Sequence, residues 1–359
     1  MRAHNFGAGP CTLPAKALQE AQEEMLDFRG SGMSVVELSH RSAEYQQLHD
    51  EVNALARSVS GAPDDFDVLT IQGGATLQFA MAPMNLLAGG KTAGFVNTGA
   101  WAKKAYSNAK TIADTYVAWD GGENGYTTMP GKGEVEVKPG TRYIHVCTNE
   151  TIGGIRMVDF PDTDVPLVAD MSSEFLTRPI DWGRYDLVYG GVQKNLGPAG
   201  MALVFIRKSV AAASPKELPD YLKYSFHAEN DSLGNTPAMF PMWIMGKVLK
   251  DIADTGGIAG LEKRSAAKSS QVYKVIDSSD GFYRNPVDPR VRSYMNVVFR
   301  LPTEDLEKQF VSESKAARLI GLKGHRSVGG IRASLYAALP QESVDALCSF
   351  METFAKTNR

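Results

Sequence analysis

Short apolar segments alternate with amphipathic ones from about residue 68 to residue 206. The apolar runs predict strands at residues 68–71, 94–96, 115–118, 143–146, 167–169, 186–189 and 201–206. Helical periodicity lies between several of them, as at residues 76–87 and 101–110. Such alternation is typical of a mostly parallel sheet with helices on both faces, so the sequence predicts an α/β fold.

The segments on either side of this alternation are predominantly helical. Residues 1–13 are rich in Gly and Pro and predict a loop, and Pro14 begins a predicted helix at residues 14–28. Further helices are predicted at residues 42–59, 237–252 and 261–276. The Gly-rich residues 121–140 predict a long excursion on the surface.

The pattern changes after Gly281. It predicts a strand at residues 296–300, a helix at 303–313, short strands near Val328 and at 332–334, and a last helix at 341–356. We therefore expect a large domain at residues 14–262 and a smaller α+β domain at 263–359, joined by the N-terminal segment 1–13.

Composition excludes several classes of protein. The 359 residues are 43% hydrophobic and 22% charged with a net charge of −3, which gives no reason to expect nucleic acid or an anionic membrane as partner. No apolar run approaches the roughly 20 residues that span a bilayer. The first ten residues lack the apolar stretch of a signal peptide, and three widely spaced cysteines match no metal motif. We expect a cytoplasmic protein with reduced thiols and no metal site.

Lys194 lies between two predicted core strands. Gly190 and Gly191 precede it, and Gly197 and Gly200 follow it before the strand that begins at residue 201. A lysine held there is partly desolvated, which lowers its pKa, and a neutral amine can form a Schiff base with an aldehyde. The alternative is an ordinary solvated loop lysine.

Asp170 directly follows another predicted buried strand. A carboxylate at the end of a parallel strand lies at the ligand-binding edge of an α/β sheet, where it can keep a pyridinium nitrogen protonated. A helix N-cap is the alternative for Asp170 alone. The pair formed by Asp170 and Lys194 is more specific for pyridoxal phosphate than either residue.

Two further strand ends carry candidate cofactor contacts. Gly73 and Gly74 stand between a strand and a helix, where the first helical amides suit a phosphate; a plain strand–helix turn is the alternative. Trp101 follows the end of the next strand and could stack on a heteroaromatic ring or pack in the core.

Basic side chains gather in three places. They are His40 with Arg41, His325 with Arg326, and Arg332. Arginine binds carboxylate and phosphate through two parallel hydrogen bonds, so the three places together indicate a doubly anionic substrate. Surface ion pairs are the alternative for each arginine taken singly.

These motifs resemble the phosphoserine aminotransferase family, class V of the fold-type I pyridoxal-phosphate enzymes, over essentially the whole length. The motifs that carry the resemblance are Phe-Gly-Ala-Gly-Pro at 6–10, Ser-His-Arg at 39–41, Gly-Gly-Ala-Thr-Leu-Gln-Phe at 73–79, Asn-Glu-Thr-Ile-Gly-Gly at 149–154, Ala-Asp-Met-Ser-Ser at 169–173, Gly-Val-Gln-Lys-Asn-Leu-Gly-Pro-Ala-Gly at 191–200, Asn-Thr-Pro at 235–237, Lys-Gly-His-Arg at 323–326 and Gly-Gly-Ile-Arg-Ala-Ser at 329–334. It implies a seven-stranded sheet in the large domain and a homodimer that transfers an amino group between O-phospho-L-serine and 2-oxoglutarate in serine biosynthesis. Some bacterial members also act on phosphohydroxythreonine in vitamin B6 synthesis.

The resemblance also implies a role for each site residue. Lys194 would form the Schiff base with pyridoxal phosphate, Asp170 would pair with the ring nitrogen, Trp101 would stack on the ring and Thr151 would bind its phenolic oxygen. The cofactor phosphate would be held by Ala75, Thr76 and Gln193, and by Asn235 and Thr236 of the neighbouring subunit. Arg41 and Arg332 would take the substrate carboxylate, and His40, His325 and Arg326 its distal anion. Some members have serine at Ala8 and arginine at Thr76, so those side-chain contacts are missing here.

The loop at residues 229–234 is followed by Asn235 and Thr236. The local sequence pattern does not predict a contact between this segment and the turn at Gly73 of the same subunit. An N-cap of the following helix is the alternative for this pair. Two other functions remain open. A cysteine desulfurase would need a nucleophilic cysteine on a mobile loop, and a non-catalytic nucleotide-binding module would hold no aldehyde cofactor.

Overall fold

A computed structural model describes residues 2–359. Its helices are α1 (Ala15–Glu23), α2 (Ala43–Ser60), α3 (Gly74–Leu86), α4 (Ala100–Ala109), α5 (Lys208–Ala211), α6 (Tyr224–Glu229), α7 (Met239–Asp254), α8 (Gly257–Asp277), α9 (Glu304–Ala316) and α10 (Gln341–Asn358). Its strands are β1 (His4–Asn5), β2 (Phe66–Gln72), β3 (Thr92–Asn97), β4 (Thr115–Asp120), β5 (Thr141–Cys147), β6 (Asn149–Glu150), β7 (Ile155–Arg156), β8 (Leu167–Asp170), β9 (Tyr185–Gly191), β10 (Met201–Arg207), β11 (Asn296–Phe299), β12 (Leu319–Ile320) and β13 (Ile331–Ser334).

A seven-stranded sheet of order β2-β10-β9-β8-β5-β3-β4 forms the centre of the large unit. All seven predicted strands are confirmed, and the α/β fold with them. Only β10 runs antiparallel to its neighbours β2 and β9, while β9, β8, β5, β3 and β4 pair in parallel. The other six strands therefore end at the same edge of the sheet.

Both faces of this sheet are buried, which explains why its strands are almost continuously apolar. Along β10, Leu203 and Phe205 belong to the hydrophobic cluster that includes α2 and α7. Val204 and Ile206 point to the opposite cluster, which includes α3. The sheet thus forms the middle layer between two layers of helices.

The C-terminal residues build a separate hydrophobic cluster around β11, β13, α9 and α10, and Phe6 from the N-terminal segment belongs to it. The expected strand at 332–334 and the helices at 303–313 and 341–356 are confirmed. The predicted domain boundary at residues 262 and 263 falls inside the continuous helix α8, and this boundary stays a prediction.

Helix ends follow local side-chain chemistry. Ser42 caps α2 by accepting a hydrogen bond from the Tyr45 amide at 3.3 Å, and Gly61 ends α2 with a φ of 68°. Thr303 caps α9 by accepting from the Leu306 amide at 3.2 Å, and acidic residues fill the first turn of that helix.

The predicted helix at 14–28 is too long. Helix α1 ends at Glu23, and the chain turns through residues 28–33, where Arg29 has a φ of 53° and the Asp27 carboxylate accepts from the Gly32 amide at 2.7 Å. Gly30 and Gly32 both have positive φ, which favours this turn over continuation of the helix.

The predicted strand near Val328 is wrong. His325 begins a turn in which its carbonyl accepts from the amides of Val328 and Gly329, and Val328 is exposed. The small unit instead gains β12, which pairs in parallel with β1. Residues 121–140 contain one short 3₁₀ turn and are mostly exposed, as predicted, although Met129 reaches the core.

Within residues 2–359, no helix combines the length and the apolar character that crossing a membrane requires. The same residues contain no cluster of His, Cys, Asp or Glu suited to a metal ion. Cys11, Cys147 and Cys348 are free thiols.

Candidate active site

The ends of four strands meet around one cavity of about 390 Å³. Helix α3 follows β2, α4 follows β3, Asp170 ends β8, and the turn with Lys194 follows β9. Because these strands end at the same edge, their terminal residues converge there. The cavity is lined by Gly73, Gly74, Ala75, Thr76, Phe79, Trp101, Asp170, Ser172, Gln193, Lys194, Ala199 and Gly200.

Lys194 is buried, with 7% of its surface exposed. Its Nζ donates a hydrogen bond to Oγ1 of Thr151 (2.6 Å) and lies 4.9 Å from the centre of the Trp101 ring. Burial lowers the pKa of the Lys194 amine, and the negative charges of Asp170 and Glu150 oppose that shift. The alternative of a solvated loop lysine is therefore wrong.

Asp170 is held by the residues that follow it. Its Oδ1 accepts hydrogen bonds from the amide (2.9 Å) and the hydroxyl (2.6 Å) of Ser172, whose oxygen accepts in turn from the Gly191 amide at 3.0 Å. No helix begins at residue 171, so the N-cap alternative is wrong. Among the described residues nothing donates to the second carboxylate oxygen, Oδ2, of this cavity-lining side chain.

The N-terminal end of α3 opens into the same cavity. The first helical hydrogen bond runs from the Leu77 amide to the Gly73 carbonyl, so the preceding amides of Ala75 and Thr76 have no partner in the helix. Gly73 has a φ of 95°, and a Cβ there would lie 2.9 Å from Cβ of Leu77. Amides at such an end, together with the helix dipole, suit a phosphate.

Trp101 forms one wall of the cavity. Its indole Nε1 is buried without a hydrogen-bond partner within residues 2–359, and its backbone amide donates to Oε2 of Glu150 at 3.2 Å. Glu150 is fully buried, and burial raises the pKa of its carboxyl. Sequence reasoning missed this residue, although it directly precedes Thr151.

A second cavity of about 530 Å³ lies between the two units, lined by Gly99 and Ala100 beside Trp101, by residues 152 and 153 beside Thr151, and by Arg332 and His325. The Nε atom of Arg332 is buried without a partner among the described residues, and burial lowers the pKa of this guanidinium. Nδ1 of His325 hydrogen-bonds the Ser327 hydroxyl at 2.7 Å. Burial, with the charges of Arg332 and Arg326, lowers the pKa of His325.

Three predicted substrate residues lie outside both cavities. Arg326 is exposed at the rim of the His325 turn. His40 is half-buried and Arg41 is exposed, and neither lines either of these two cavities or forms an ion pair in the chain from residue 2 to 359. A single chain therefore does not bring Arg41 together with Lys194.

Asn235 and Thr236 also lie outside the cavity. The Asn235 amide donates to Oε1 of Gln72 (2.8 Å), and Nε2 of Gln72 donates to the Thr236 carbonyl (3.1 Å). The segment therefore does return to the end of β2 in its own chain, and the expectation that nothing returns it there is wrong. The N-cap alternative is also wrong, because Ala238 precedes the first residue of α7.

Cys11 is the other residue that sequence reasoning missed. Its Sγ donates to the Lys194 carbonyl, and its amide donates to the Gln193 carbonyl at 3.2 Å. Burial raises the pKa of its thiol to about 12. No sequence signal marks this contact, because the partners lie far apart along the chain and the N-terminal segment has no regular periodicity.

The sequence model of the class-V aminotransferases matches residues 3–347. The chain belongs to the class-V aminotransferase family. Within it, the chain is 48% identical to a phosphoserine aminotransferase of Niallia circulans over 99% of both chains, and 45% identical to that of Bacillus subtilis strain 168 over 99% of both. The fold agrees with this relationship: the solved structure of the phosphoserine aminotransferase from Bacillus circulans subsp. alkalophilus superposes with a TM-score of 0.98, at 48% identity, over 100% of this chain and 99% of the other.

The cofactor of this family member is pyridoxal phosphate. A solved phosphoserine aminotransferase from Trichomonas vaginalis, 35% identical with a TM-score of 0.94 over 98% of this chain and all of the other, is described as bound to it. The cavity fits this group on four observations: the free amides of α3, the unpartnered oxygen of Asp170, the buried amine of Lys194 and the indole of Trp101.

Proposed function

We propose that Lys194 and Asp170 catalyse amino transfer between O-phospho-L-serine and 2-oxoglutarate, giving 3-phosphooxypyruvate and L-glutamate. The chain is a pyridoxal-phosphate-dependent phosphoserine transaminase, an enzyme of serine biosynthesis. The observation that carries the residue assignment is the buried amine of Lys194, which shares a cavity with Asp170 and the open end of α3.

Each wall of the cavity would hold a different part of the cofactor. Lys194 would hold its aldehyde, Trp101 its ring and Asp170 its ring nitrogen. The amides of Ala75 and Thr76, with Gln193, would hold its phosphate. Thr151, which already accepts a hydrogen bond from Lys194, would hold the phenolic oxygen. When bound, pyridoxal phosphate supplies an electron-withdrawing ring that stabilises negative charge at the substrate α-carbon.

Lys194 acts as the proton carrier of the reaction. Burial favours the neutral amine, and a neutral Nζ can accept a proton from the substrate α-carbon and release it later in the same turnover. The hydroxyl of Thr151 directs this nitrogen, and the Gln193 and Lys194 carbonyls are fixed by Cys11.

Asp170 places an oriented carboxyl group at the end of β8. Ser172 binds Oδ1 through two hydrogen bonds, which orients the carboxylate and leaves Oδ2 toward the cavity. A carboxylate in this place stabilises a protonated ring nitrogen by a charge-assisted hydrogen bond.

The cavity between the two units would receive the substrate. Arg332 has a buried Nε without a partner among the described residues and would bind the carboxylate, while His325 and Arg326 would bind the distal phosphate or carboxylate. Within residues 2–359, no Asp or Glu lines this cavity, which suits a doubly anionic substrate. The same cations could accept phosphohydroxythreonine, which carries the same two anionic groups.

A homodimer would complete the site. His40 and Arg41 are free of ion pairs among the described residues, so they can bind the anionic groups of the substrate, while Asn235 and Thr236 of the neighbouring subunit would hold the cofactor phosphate. Leu26, Met33 and Val36, which precede His40, are large apolar side chains with 86%, 45% and 52% of their surface exposed. Apolar exposure of this kind is typical of a subunit interface. We also propose that the enzyme works in the cytoplasm, where its three free thiols remain reduced.

Cysteine desulfuration is disfavoured. The cysteines near Lys194 are Cys11, whose thiol donates to the Lys194 carbonyl, and Cys147, which is buried in β5. Burial raises the pKa of both thiols, that of Cys11 to about 12. A nucleophilic cysteine needs a lowered pKa and a mobile position.

An amino-donor comparison tests the proposed function. Glutamate formation from 2-oxoglutarate is measured with O-phosphoserine, phosphohydroxythreonine and serine as donors. Loss of a charge-assisted contact costs on the order of 1.5–3 kcal/mol, so serine should react far more slowly than phosphoserine, and Arg326→Ala should narrow that gap. Equal rates with serine and phosphoserine would contradict the proposed substrate. If Arg326→Ala kept the full preference for phosphoserine over serine, the distal anion would have to bind at other residues.

A further inference from the structure

Glu150 is a buried carboxylate that the roles given above leave without a function. It is 0% exposed and is the last residue of β6. Its two oxygens accept hydrogen bonds from two consecutive amides of α4: Oε1 from Ala102 at 2.8 Å and Oε2 from Trp101 at 3.2 Å. Since both oxygens accept and neither donates, the side chain is bound as a carboxylate.

The contact replaces an ordinary helix cap. Gly99 precedes α4 and contributes no side-chain hydrogen bond to the first turn. A Cβ at Gly99 would lie 2.8 Å from Cδ of Glu150, so only glycine leaves room for the carboxylate against the helix end. The negative charge also complements the positive end of the α4 dipole.

Glu150 also belongs to the group of charges around Lys194. Two carboxylates, Asp170 at the end of β8 and Glu150 at the end of β6, raise the pKa of the Lys194 amine, and Arg332 of β13 lowers it. The residue after Glu150 is Thr151, whose hydroxyl accepts the Lys194 hydrogen bond. Two consecutive residues, Glu150 and Thr151, therefore contact Trp101 and Lys194 respectively.

We propose that Glu150 is a positioning residue that fixes the Trp101 wall of the cofactor cavity through the first turn of α4 and keeps a negative charge beside the Lys194 nitrogen. This inference rests on the proposed function, in which Trp101 faces the cofactor ring and Lys194 holds its aldehyde. The Glu150 carboxylate binds the backbone amide of Trp101, while the Lys194 nitrogen hydrogen-bonds Thr151. Glu150 therefore acts through the position of Trp101 and through its charge.

The test is a pH titration of the visible absorbance of the protein loaded with pyridoxal phosphate, together with the dissociation constant of the cofactor. Glu150→Gln removes the charge and keeps one acceptor, and the midpoint of the titration should fall by about one pH unit because a proton beside Lys194 loses a stabilising anion. Glu150→Asp keeps the charge but is too short to reach both amides. It should weaken cofactor binding and leave the midpoint closer to that of the wild type.

Glu174→Gln is the matched control. Glu174 is also buried, at 5% exposure, but its carboxylate binds Arg178 (2.6 Å) outside the cavity. This variant should lower thermal stability and leave the titration midpoint unchanged.

An unchanged titration midpoint in Glu150→Gln would overturn the proposal. Equal midpoints in Glu150→Gln and Glu150→Asp would also overturn it, because the loss of the hydrogen bonds to α4 would then explain the shift. The wild type and Lys194→Ala separate this outcome from a failure of the proposed function. If the wild type shows no visible band that Lys194→Ala lacks, the proposed function fails; if the band is present and only the Glu150 variants behave unexpectedly, the role of Glu150 alone fails.

Discussion

Burial and charge act on Lys194 in opposite directions. Burial favours the neutral amine, while Asp170 and Glu150 favour the protonated one. A proton carrier works best when its pKa lies near the working pH, so this opposition suits the proton-carrier role that we propose for Lys194.

Asp170→Asn is predicted to reduce turnover on the order of 10²-fold while the cofactor still binds, because the amide cannot stabilise a protonated ring nitrogen by charge. The measurement is kcat for glutamate formation beside the dissociation constant of pyridoxal phosphate. Ser172→Ala is the matched control, since it removes a hydrogen bond to Oδ1 but leaves the charge. Wild-type kcat in Asp170→Asn would mean that the carboxylate serves only the local turn.

Among individual residues, the sequence identified those whose chemistry and position after a strand both indicate a site. Lys194 and Asp170 follow buried strands, and that context predicted both burial and convergence. Glu150 could have been found from its place before Thr151, but its two hydrogen bonds depend on the approach of α4, which no local pattern shows. The contact of Cys11 with the Lys194 carbonyl depends on how the N-terminal segment crosses the site.

Among the elements, α8 makes an unusual contact with the segment before α10. Lys268 is buried, and its Nζ donates to the carbonyls of Tyr336 (2.8 Å), Ala337 (3.3 Å) and Leu339 (3.0 Å). The Ala337 amide in turn donates to Oδ1 of Asn195, beside Lys194, at 3.0 Å. Burial, and then the charge of Arg264, lowers the pKa of Lys268 to about 7.

This lysine makes stability depend on pH in a defined window. Its pKa in the folded chain, about 7, lies below the ordinary value of 10.5, so between these values the unfolded chain binds more protons. The free energy of unfolding should therefore rise with pH across that window, by at most about 1.4 kcal/mol per pH unit, and should carry the full cost of the buried charge below pH 7.

Lys268→Met is predicted to remove this rise. Urea unfolding of the wild type and the variant at intervals from pH 7 to pH 10 measures it, and the difference in unfolding free energy should change steadily with pH. Lys274→Met, at an exposed position of the same helix, should follow the wild type. A difference that stays constant with pH would show that Lys268 remains charged in the folded chain.

Element prediction succeeded where burial controls the pattern. The seven sheet strands are predominantly apolar, so their positions were visible in the sequence, with ends displaced by a few residues. Element prediction failed where an element forms only through pairing with residues that are distant in the sequence. The short strands β1 and β12 pair across most of the length of the chain, and neither is long enough for a pattern. Helix α1 ended at Glu23 although the helical periodicity continued to Phe28, and the chain then turned at Arg29, which has a positive φ.

For the whole molecule, the N-terminal segment connects the small unit to the candidate active site. Phe6 packs in the C-terminal cluster, and its carbonyl accepts from the Ser334 amide at 3.2 Å. The Ala8 carbonyl accepts from the Tyr336 hydroxyl at 2.7 Å, and Cys11 contacts the turn of Lys194. The backbone contact at Ala8 does not need the serine side chain that some family members have.

The proposed sharing of each site between two subunits predicts complementation between two defective chains. Lys194→Ala chains mixed with Asn235→Ala/Thr236→Ala chains should form heterodimers in which one of the two sites has both an intact lysine and an intact partner loop. With random pairing, half of the dimers are heterodimers and half of their sites are intact, so about one quarter of wild-type activity should return. Absence of recovery, with heterodimers verified by differently tagged chains, would contradict a contribution of this loop to the partner's site.

The most direct test of the account compares wild-type and Lys194→Ala chains in forming L-glutamate from O-phospho-L-serine and 2-oxoglutarate. Both chains are loaded with pyridoxal phosphate and matched in circular dichroism, and Lys274→Ala serves as an exposed-lysine control. We predict that Lys194→Ala still binds the cofactor through the other walls of the cavity but that its turnover falls by at least ~10²–10⁴-fold. The reason is that no other amine in the described chain faces the cavity. Wild-type turnover in Lys194→Ala would contradict the account.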